Sequence, residues 1–388
     1  MRILLTTQKW LREEEPDNPI AVLDLAPLLR RWGHEVDCRY IHDLVEGEYD
    51  LAGISCFWGN EKVIKRHLSL LRERYPAVKI VIGGRYVNIM SDELKNYLIG
   101  EKIEICPGEG ERYFNKTEEI DFNNYPSWDI KDLKSLNSDG DGIMSSRGCP
   151  YSCNFCYNSA KRVKFFSPSR TVDNIELMFK MGIRDVFFVD DIFTLNMQHM
   201  SNIYDSCKKR NVKIQKRNHF LTHINSINKE SVKIMGMFSP TRVEVGIESG
   251  DDRMLQLMGK NITREVIYEK VKLLSKYVAV HGLFLIGYPG ETIQSLQNTI
   301  DFVKRTKKYL SAIWVSYYVP IPNTAGFDAA LNNGIITNSE IDNRAIGYVD
   351  NNLTVEVLQK ARSALFETAS KKSFFYLAGS RIKRLIKK

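Results

Sequence analysis

The chain has 388 residues, of which 26% are charged and 43% are apolar, as in an ordinary globular protein. This composition excludes disordered and fibrous classes, and the length predicts two to three domains with a core that needs no disulfides. The net charge is +8, from 55 basic and 47 acidic residues. Much of this excess lies in residues 371–388, a basic tail without acidic residues, which argues against a nucleic-acid-binding face over the whole protein.

The sequence carries no sign of a secretory signal or a membrane span. The first apolar run ends at Thr6, too early for a signal peptide. The longest uncharged stretch, residues 309–327, contains Pro320 and Pro322, so we predict a strand and a loop there. We therefore expect a cytoplasmic protein, in which the seven cysteines are free thiols or metal ligands.

The N-terminal part alternates short apolar runs with amphipathic stretches. This pattern predicts an α/β fold with a doubly wound, Rossmann-like parallel sheet over residues 1–112. The predicted strands are residues 2–6, 35–40, 51–56, 79–82 and 103–106. The predicted helices are residues 20–32, 61–74 and 92–99, the last with Ser91 as its N-cap. A polar segment, residues 113–142, is interpreted as a linker, and we expect its Trp128 to pack against another element.

The alternation resumes over residues 143–325. Predicted strands are residues 143–147, 185–190, 213–220, 242–247, 278–286 and 312–319. Predicted helices are residues 171–182, 196–210, 228–237, 251–258, 264–277 and 293–307. Six consecutive βα units predict a partial (β/α)6 barrel of the TIM type. Residues 326–388 are predicted to form a helical C-terminal extension that carries the basic tail.

The strongest chemical signal is a cysteine motif after the first predicted barrel strand. Cys149, Cys153 and Cys156 have the spacing C-x3-C-x2-C, and thiolates are the ligands of soft metals and iron–sulfur clusters. A structural zinc site is the alternative, but zinc prefers four protein ligands and the only later cysteine is Cys207. Three thiolates on a four-iron cluster leave one iron open, and an open metal position is a site for chemistry.

The motif resembles that of the radical S-adenosylmethionine (SAM) enzymes, C-x3-C-x-Φ-C, in which Φ is aromatic and is Phe155 here. The resemblance implies a [4Fe-4S] cluster on the three cysteines, with SAM bound to the open iron and Tyr157 near the cosubstrate. It implies reductive cleavage of SAM to a 5′-deoxyadenosyl radical, with the cofactor carrying the difficult step. It also implies an external electron donor such as flavodoxin or ferredoxin.

Further segments at predicted strand ends resemble motifs of the same family. They are FVDD at 188–191, VGIESG at 245–250, LIGYPGET at 285–292, and PIPNT at 320–324, where Asn323 replaces a glycine. Barrel active sites form at this face of the sheet. The resemblance assigns cosubstrate contacts to Asp191, Glu248, Ser249, Gly287, Tyr288, Pro289 and Gly290. The structural alternatives are a simple turn at Gly287 and Gly290 and a helix cap at Glu248.

Two segments of the N-terminal domain, VIGGR at 81–85 and PGEGE at 107–111, resemble elements of radical SAM enzymes with a cobalamin-binding domain. Glycines after a parallel strand also let a backbone approach a flat ring or a phosphate. The implied cofactor contacts are Gly83, Gly84, Gly108 and Glu109. The cobalt-ligating motif D-x-H-x-x-G does not occur at His34, His42 or His67. Cobalamin bound without a protein histidine, and a domain that binds none, both stay open.

Three activities follow from these alternatives. With cobalamin, the implied reaction is methylation of an unactivated carbon in a biosynthetic pathway. Without it, the implied reaction is a radical oxidation, dehydration or rearrangement. A methylthiotransferase would hold an auxiliary cluster on three N-terminal cysteines, but we predict that Cys38, Cys56 and Cys106 are buried structural thiols. The rival from another class is a zinc-stabilised binding protein without catalysis.

The partners are less defined by the sequence. We expect a small-molecule or lipid-linked substrate between the two domains and no nucleic acid. Candidate polar contacts are Arg217, His219 and His223. The basic tail is predicted either to be a solvated terminus or to make peripheral contact with an anionic membrane.

Overall fold

The chain folds into two compact units, which we describe separately. Unit 1 comprises residues 1–145 and 165–184, and unit 2 comprises residues 146–164 and the chain from residue 185 onward. The computed structural model describes residues 1–7, 19–56, 61–90, 92–117, 119–136, 140–157, 161–337 and 346–369. The basic tail and Ser91 lie outside these residues. Among the described residues, no helix is both long and apolar enough to span a bilayer.

Unit 1 contains a five-stranded parallel sheet in the order β2-β1-β3-β4-β5. The order reverses at β1, which creates a topological switch point at the carboxyl ends of β1 and β3, where such folds bind ligands. The Rossmann-like prediction is therefore confirmed. The elements of unit 1 are β1 Arg2–Thr7, α1 Ile20–Arg31, β2 Glu35–Tyr40, β3 Leu51–Ser55, α2 Glu61–Arg74, β4 Lys79–Gly83, α3 Asp92–Gly100, β5 Glu104–Ile105, α4 Gly110–Phe114, α5 Ile130–Leu136, β6 Gly142–Ile143 and α6 Pro168–Lys180.

The segment predicted as a linker packs against the rest of unit 1. It contains a short 3-10 helix, Phe122–Asn124, and helix α5. Trp128 is buried, and its Nε1 donates a hydrogen bond of 2.7 Å to Asp24 Oδ1 on α1. Its backbone N–H donates to Asn174 Oδ1 on α6 at 2.8 Å. The expectation that Trp128 packs against another element is confirmed.

Unit 2 is built on five parallel strands in the order β13-β12-β11-β10-β9. Among the described residues β13 pairs with β12 alone, so the sheet is open at this strand, as expected for a partial barrel. The remaining elements are β7 Ser146–Arg147, β8 Lys164–Phe165, β9 Val186–Phe188, α7 Met197–Lys209, β10 Asn218–His223, α8 Ser231–Met237, β11 Arg242–Glu248, α9 Asp252–Leu257, α10 Arg264–Leu274, β12 Val280–Ile286, α11 Ile293–Thr306, β13 Ala312–Tyr317, α12 Ala325–Asn333, β14 Ile335–Ile336, β15 Tyr348–Val349 and α13 Val355–Ala369.

Two predicted strands of the barrel were wrong in detail. The strand predicted at 143–147 is divided into β6 and β7, because the Ser145 carbonyl accepts a hydrogen bond from Phe166 N–H instead of continuing a ladder. The strand predicted at 213–220 begins only at Asn218 and runs to His223. Its predicted first half is a turn in which Lys216 has φ 59°.

Strand β11 alternates between two environments. Its Val243, Val245 and Ile247 are fully buried, whereas Glu244 and Glu248 are partly exposed. One face of this strand therefore packs into the core, while the other presents carboxylate side chains. This alternation places Glu248 on the polar face at the carboxyl end of its strand, where barrel enzymes carry their chemistry.

Candidate active site at the strand ends of unit 2

The cysteine loop is held in place at both ends. Gly148 N–H donates to Asp191 Oδ2 at 3.0 Å, and Ser146 Oγ lies 2.5 Å from Asp190 Oδ1. Asn154 donates from its backbone N–H to Met258 O at 3.0 Å and from Nδ2 to Leu257 O at 2.8 Å. The two acidic residues at the end of β9 thus fix the entry of the loop, which gives Asp191 a defined role in positioning it.

The three cysteines differ in exposure. Cys149 and Cys153 are half-buried and Cys156 is exposed. Burial raises the pKa of the Cys153 thiol to about 11, although nearby Lys260 opposes the shift, and burial also raises the pKa of Cys149. These thiols are therefore protonated at neutral pH, and a metal must displace their protons when it binds. Tyr157 is half-buried at the end of the described part of the loop.

The donor set of the loop fits an iron–sulfur cluster. Within the described ranges, no three His, Cys, Asp or Glu side chains lie close enough together to hold a single metal ion, and this includes the three cysteines. A four-iron cluster binds each thiolate to a different iron, so its ligands are spread more widely than those of one ion. Three thiols in one anchored loop, close enough to influence one another's pKa, match that requirement.

A buried ion pair lies next to the cysteine loop. Lys260 Nζ is 3.2 Å from Glu248 Oε1, and the two side chains are 2% and 13% exposed. Glu248 has φ 68°, a strained conformation for a residue other than glycine. A Cβ at Gly246 would lie 2.5 Å from Glu248 Oε1 and 3.3 Å from Lys260 Nζ, so a larger residue would displace the Glu248 carboxylate from its present position. Sequence analysis missed Lys260, which no motif contains.

The residues that follow Glu248 form hydrogen bonds with other protein groups of unit 2. Helix α9 is capped by Asp251, whose side chain accepts from Met254 N–H at 2.9 Å, so Glu248 is not a helix cap. Ser249 is fully buried. Its Oγ lies 3.1 Å from Thr299 Oγ1 on α11 and accepts from Asp251 N–H at 3.1 Å. These bonds tie the end of β11 to α11.

The turn after β12 contains Gly287 and Gly290, with φ values of 85° and 86° that favour glycine. Gly287 N–H donates to Glu291 Oε2 at 2.5 Å, and the Gly290 carbonyl accepts from Arg253 Nη2 at 2.7 Å. Tyr288 is buried and packs edge-on against Tyr318, with ring centroids 4.9 Å apart. Pro289 is also buried, whereas Gly290 is exposed. The turn is thus a rigid loop beside the end of β12.

Glu291 is a buried carboxyl group inside this turn. Burial raises its pKa to about 8, so it is protonated at neutral pH. Its Oε1 has no hydrogen-bond partner among the described residues. Its other oxygen orients the N–H of Gly287, which makes Glu291 a positioning residue for the turn.

A cavity of about 590 Å³ adjoins the cysteine loop. Lys260 is the one charged residue of its lining, and most of the other polar groups are side-chain amides. The lining residues are Pro150, Tyr151, Ser152, Asn154, His223, Asn225, Gln256, Gly259, Lys260 and Asn261. The cavity therefore combines positive charge and hydrogen-bonding groups beside the loop that carries the three thiols. Of the predicted polar contacts, His223 lines it, and Arg217 and His219 do not.

A second set of predicted residues lies at the carboxyl edge of the unit 1 sheet. Gly83 ends β4 and Gly84 follows it, and a Cβ at Gly84, which has φ 96°, would lie 2.5 Å from the Cys56 carbonyl oxygen. Gly108 has φ 80°, and a Cβ there would meet nothing within 4 Å. The Glu109 carbonyl lies 3.9 Å from Cys106 Sγ, which donates to it. Gly108 is exposed, whereas Gly83 and Gly84 are half-buried and Gly84 allows close packing on Cys56.

The three N-terminal cysteines are buried, as expected. Cys38 lies within β2, and Cys56 and Cys106 follow β3 and β5. Burial raises the pKa of Cys56 to about 12, so it stays a neutral thiol. Buried neutral thiols behave as small apolar side chains.

Comparison with known proteins finds a family model that matches one segment of the chain. Residues 143–303, less than half of the chain, match the sequence model of the Radical SAM superfamily. The chain is 30% identical over 220 residues to an uncharacterized methyltransferase of Pyrococcus horikoshii, covering 54% of this chain and 47% of the relative. The chain thus spans about half the length of that relative.

Solved structures confirm the fold. The chain has a TM-score of 0.75 to the cobalamin-dependent radical SAM enzyme OxsB, at 16% identity, over 93% of this chain and 66% of OxsB. It has a TM-score of 0.71 to the radical SAM methyltransferase TsrM of Kitasatospora setae, at 16% identity, over 95% of this chain and 91% of TsrM. At this level of identity the likeness concerns the architecture.

Proposed function

We propose that this chain holds a [4Fe-4S] cluster on Cys149, Cys153 and Cys156 and uses it to cleave SAM reductively to a 5′-deoxyadenosyl radical. The observation that carries the proposal is the loop of three thiols, anchored on Asp191 and Asn154 beside a cavity of about 590 Å³. When bound, the cluster supplies the electron that breaks the sulfonium bond of SAM.

The chain's own residues then bind and orient the cosubstrate. SAM carries an ammonium and a carboxylate on its amino-acid end. Glu248 and Lys260 present the complementary charges in a buried site, where charge-assisted hydrogen bonds are strong. The turn at Gly287–Gly290 offers a rigid surface for the adenosine end, and Glu291 fixes the direction of the Gly287 N–H.

We further propose that unit 1 binds cobalamin and that the reaction is methyl transfer to an unactivated carbon of a small molecule. Support comes from the position of Gly83, Gly84 and the exposed Gly108 at the carboxyl edge of the unit 1 sheet, and from the architecture shared with two cobalamin enzymes. The methyltransferase name of a relative points the same way. A flavodoxin or ferredoxin type of protein would supply electrons.

Anaerobic reconstitution tests the proposal. We expect about four irons per chain, brown absorbance, and release of 5′-deoxyadenosine when dithionite and SAM are added. Cys153→Ala should lose iron and nucleoside release, whereas the matched variant Cys207→Ala, altered at a buried cysteine on α7, should keep both. One zinc per chain without a cleavage product would contradict the proposal.

The cobalamin part has its own readout. Expression with hydroxocobalamin should yield a protein with one corrin per chain, and a methylated product should form only in its presence. An enzyme that cleaves SAM but retains no corrin would instead support a cobalamin-free radical reaction. About eight irons would indicate a methylthiotransferase type of enzyme.

A further inference from the structure

His223 is a buried imidazole at the end of β10. The residue is only 8% exposed. Its ring stacks on the ring of Tyr151, with centroids 3.7 Å apart and an angle of 17° between the planes. Tyr151 lies between Cys149 and Cys153 in the cysteine loop. The stack therefore fixes the imidazole plane relative to the loop that carries the thiols.

A hydrogen bond defines the tautomer of His223. Asn225 N–H donates to His223 Nδ1 at 3.2 Å, so Nδ1 is an acceptor. Burial, together with the charges of Lys260 and Lys270, lowers the pKa of His223 to about 3, and the ring is neutral at physiological pH. In a neutral imidazole whose Nδ1 accepts, Nε2 carries the proton.

The Nε2–H group has no acceptor among the residues that the structure describes. Its nitrogen is buried, and among the described residues none accepts a hydrogen bond from it. A buried donor without a partner is costly, and such groups usually meet a bound ligand, ion or water. His223 lines the cavity in which Lys260 is the one charged residue, so an anionic acceptor is favoured there.

We propose that His223 donates a hydrogen bond from Nε2 to an anionic acceptor of the loaded active site. This inference rests on the proposed function. Two acceptors share the required chemistry, a sulfur of the cluster and the carboxylate of SAM. Hydrogen bonds to cluster sulfurs raise the reduction potential, and those to a carboxylate strengthen ligand binding, so the two have different signatures.

The test compares two histidines on the same strand. His223→Phe keeps a ring that stacks on Tyr151 and removes the donor. His219→Phe is the matched control, because His219 is also 8% exposed and stacks on Phe187 at 4.3 Å, yet lies outside the cavity lining. The measurements are iron content, the cluster midpoint potential without SAM, and the Kd for SAM.

We expect His223→Phe to keep its iron. A lower midpoint potential without SAM would identify a cluster sulfur as the acceptor. An unchanged potential with about tenfold weaker SAM binding would identify the carboxylate. His219→Phe should change neither quantity. A loaded His223→Phe with wild-type potential and affinity would overturn the inference, and so would equal changes in the control.

Two further variants serve if His223→Phe does not fold or load. His223→Gln keeps an N–H donor, and His223→Leu, of similar size, has none. The inference expects potential and affinity nearer to wild type in the glutamine variant, and identical values in both would contradict it. If the wild-type protein takes up no iron, the proposed function is contradicted, and this inference with it. If the iron-loaded wild type has the same midpoint potential and SAM affinity as the donor-free variants, this inference alone is contradicted.

Discussion

Each unit of the molecule contains a buried ion pair, and the two pairs have different surroundings. In unit 1, Arg170 and Asp24 are 2% and 1% exposed. In unit 2, Lys260 and Glu248 are 2% and 13% exposed. Burial of opposite charges is therefore common to both, and it does not by itself distinguish a structural pair from a functional one.

The pair in unit 1 is enclosed by protein groups. Arg170 Nε donates to Pro126 O at 2.9 Å, and its guanidinium lies 3.9 Å from the ring centroid of Phe166. Asp24 Oδ1 accepts from both Arg170 and Trp128. These contacts join α1, the segment before α5 and helix α6. The pair thus connects three segments in the interior of unit 1.

The pair in unit 2 borders open space. Lys260 lines the cavity, and Glu248 is held with φ 68° at a register shift of β11. Strained backbone of this kind persists where the surrounding structure enforces it, which is typical of functional sites. The comparison teaches that a cavity and a strained backbone, rather than buried charge, distinguish the proposed ligand site from a structural ion pair.

The largest expected effect breaks the pair in unit 1. Arg170→Met removes the guanidinium that neutralises the buried carboxylate of Asp24, and we expect the free energy of unfolding to fall by about 3–5 kcal/mol. Urea denaturation measures it. The matched control is Arg305→Met, because Arg305 also pairs with a carboxylate, Glu265, and lies 4.0 Å from a ring centroid, that of Tyr268, but is exposed. If both variants lose the same free energy of unfolding, burial of the pair in unit 1 does not determine its contribution to stability.

A second variant disturbs the pair in unit 2 without removing either charge. In Gly246→Ala the new methyl group would lie 2.5 Å from Glu248 Oε1, so the carboxylate must move away from Lys260. We expect SAM binding to weaken at least tenfold, with a stability loss of about 1–3 kcal/mol from overpacking. Calorimetric titration of the reconstituted enzyme with SAM measures the first effect. Gly100→Ala is the control, since a Cβ there meets nothing within 4 Å. If Gly246→Ala binds SAM with wild-type affinity, the Glu248–Lys260 pair does not contribute to cosubstrate binding.

The sequence predicted those parts of this site that are local. The cysteine loop and the turn at Gly287–Gly290 are contiguous motifs, and alternating apolar runs were enough to place most strands. Lys260 was missed because it reaches Glu248 across a helix, and no spacing rule connects them. Arg170 was missed because the helix predicted at 171–182 starts earlier, at Pro168, with Ser167 as its N-cap. The Ser-Pro pair was the available signal.

The smallest expected effect concerns Glu291, a buried carboxyl group that forms no ion pair with any described residue and is neutral at pH 7. Burial raises its folded pKa to about 8 from an ordinary value of 4.5. Between these values the folded state holds a proton that the unfolded state has lost, so stability decreases as pH rises. Glu291→Gln removes this slope, and we expect the free energy of unfolding of wild type to fall by about 1.4 kcal/mol more than that of the variant between pH 6 and pH 7.

Parallel urea titrations at the two pH values provide the measurement. The control is Glu265→Gln, because Arg305 lowers the pKa of the exposed Glu265, which is therefore ionised in both states throughout this interval. That variant should keep the wild-type slope. If Glu291→Gln also keeps the wild-type pH slope of stability, the Glu291 carboxyl group is ionised in the folded state. Its Oε1 must then accept a hydrogen bond from a donor such as a bound water. Unit 2 would in that case contain a buried carboxylate without an ion-pair partner. The difference between the buried charges of the two units would then be carried by the Lys260–Glu248 pair alone.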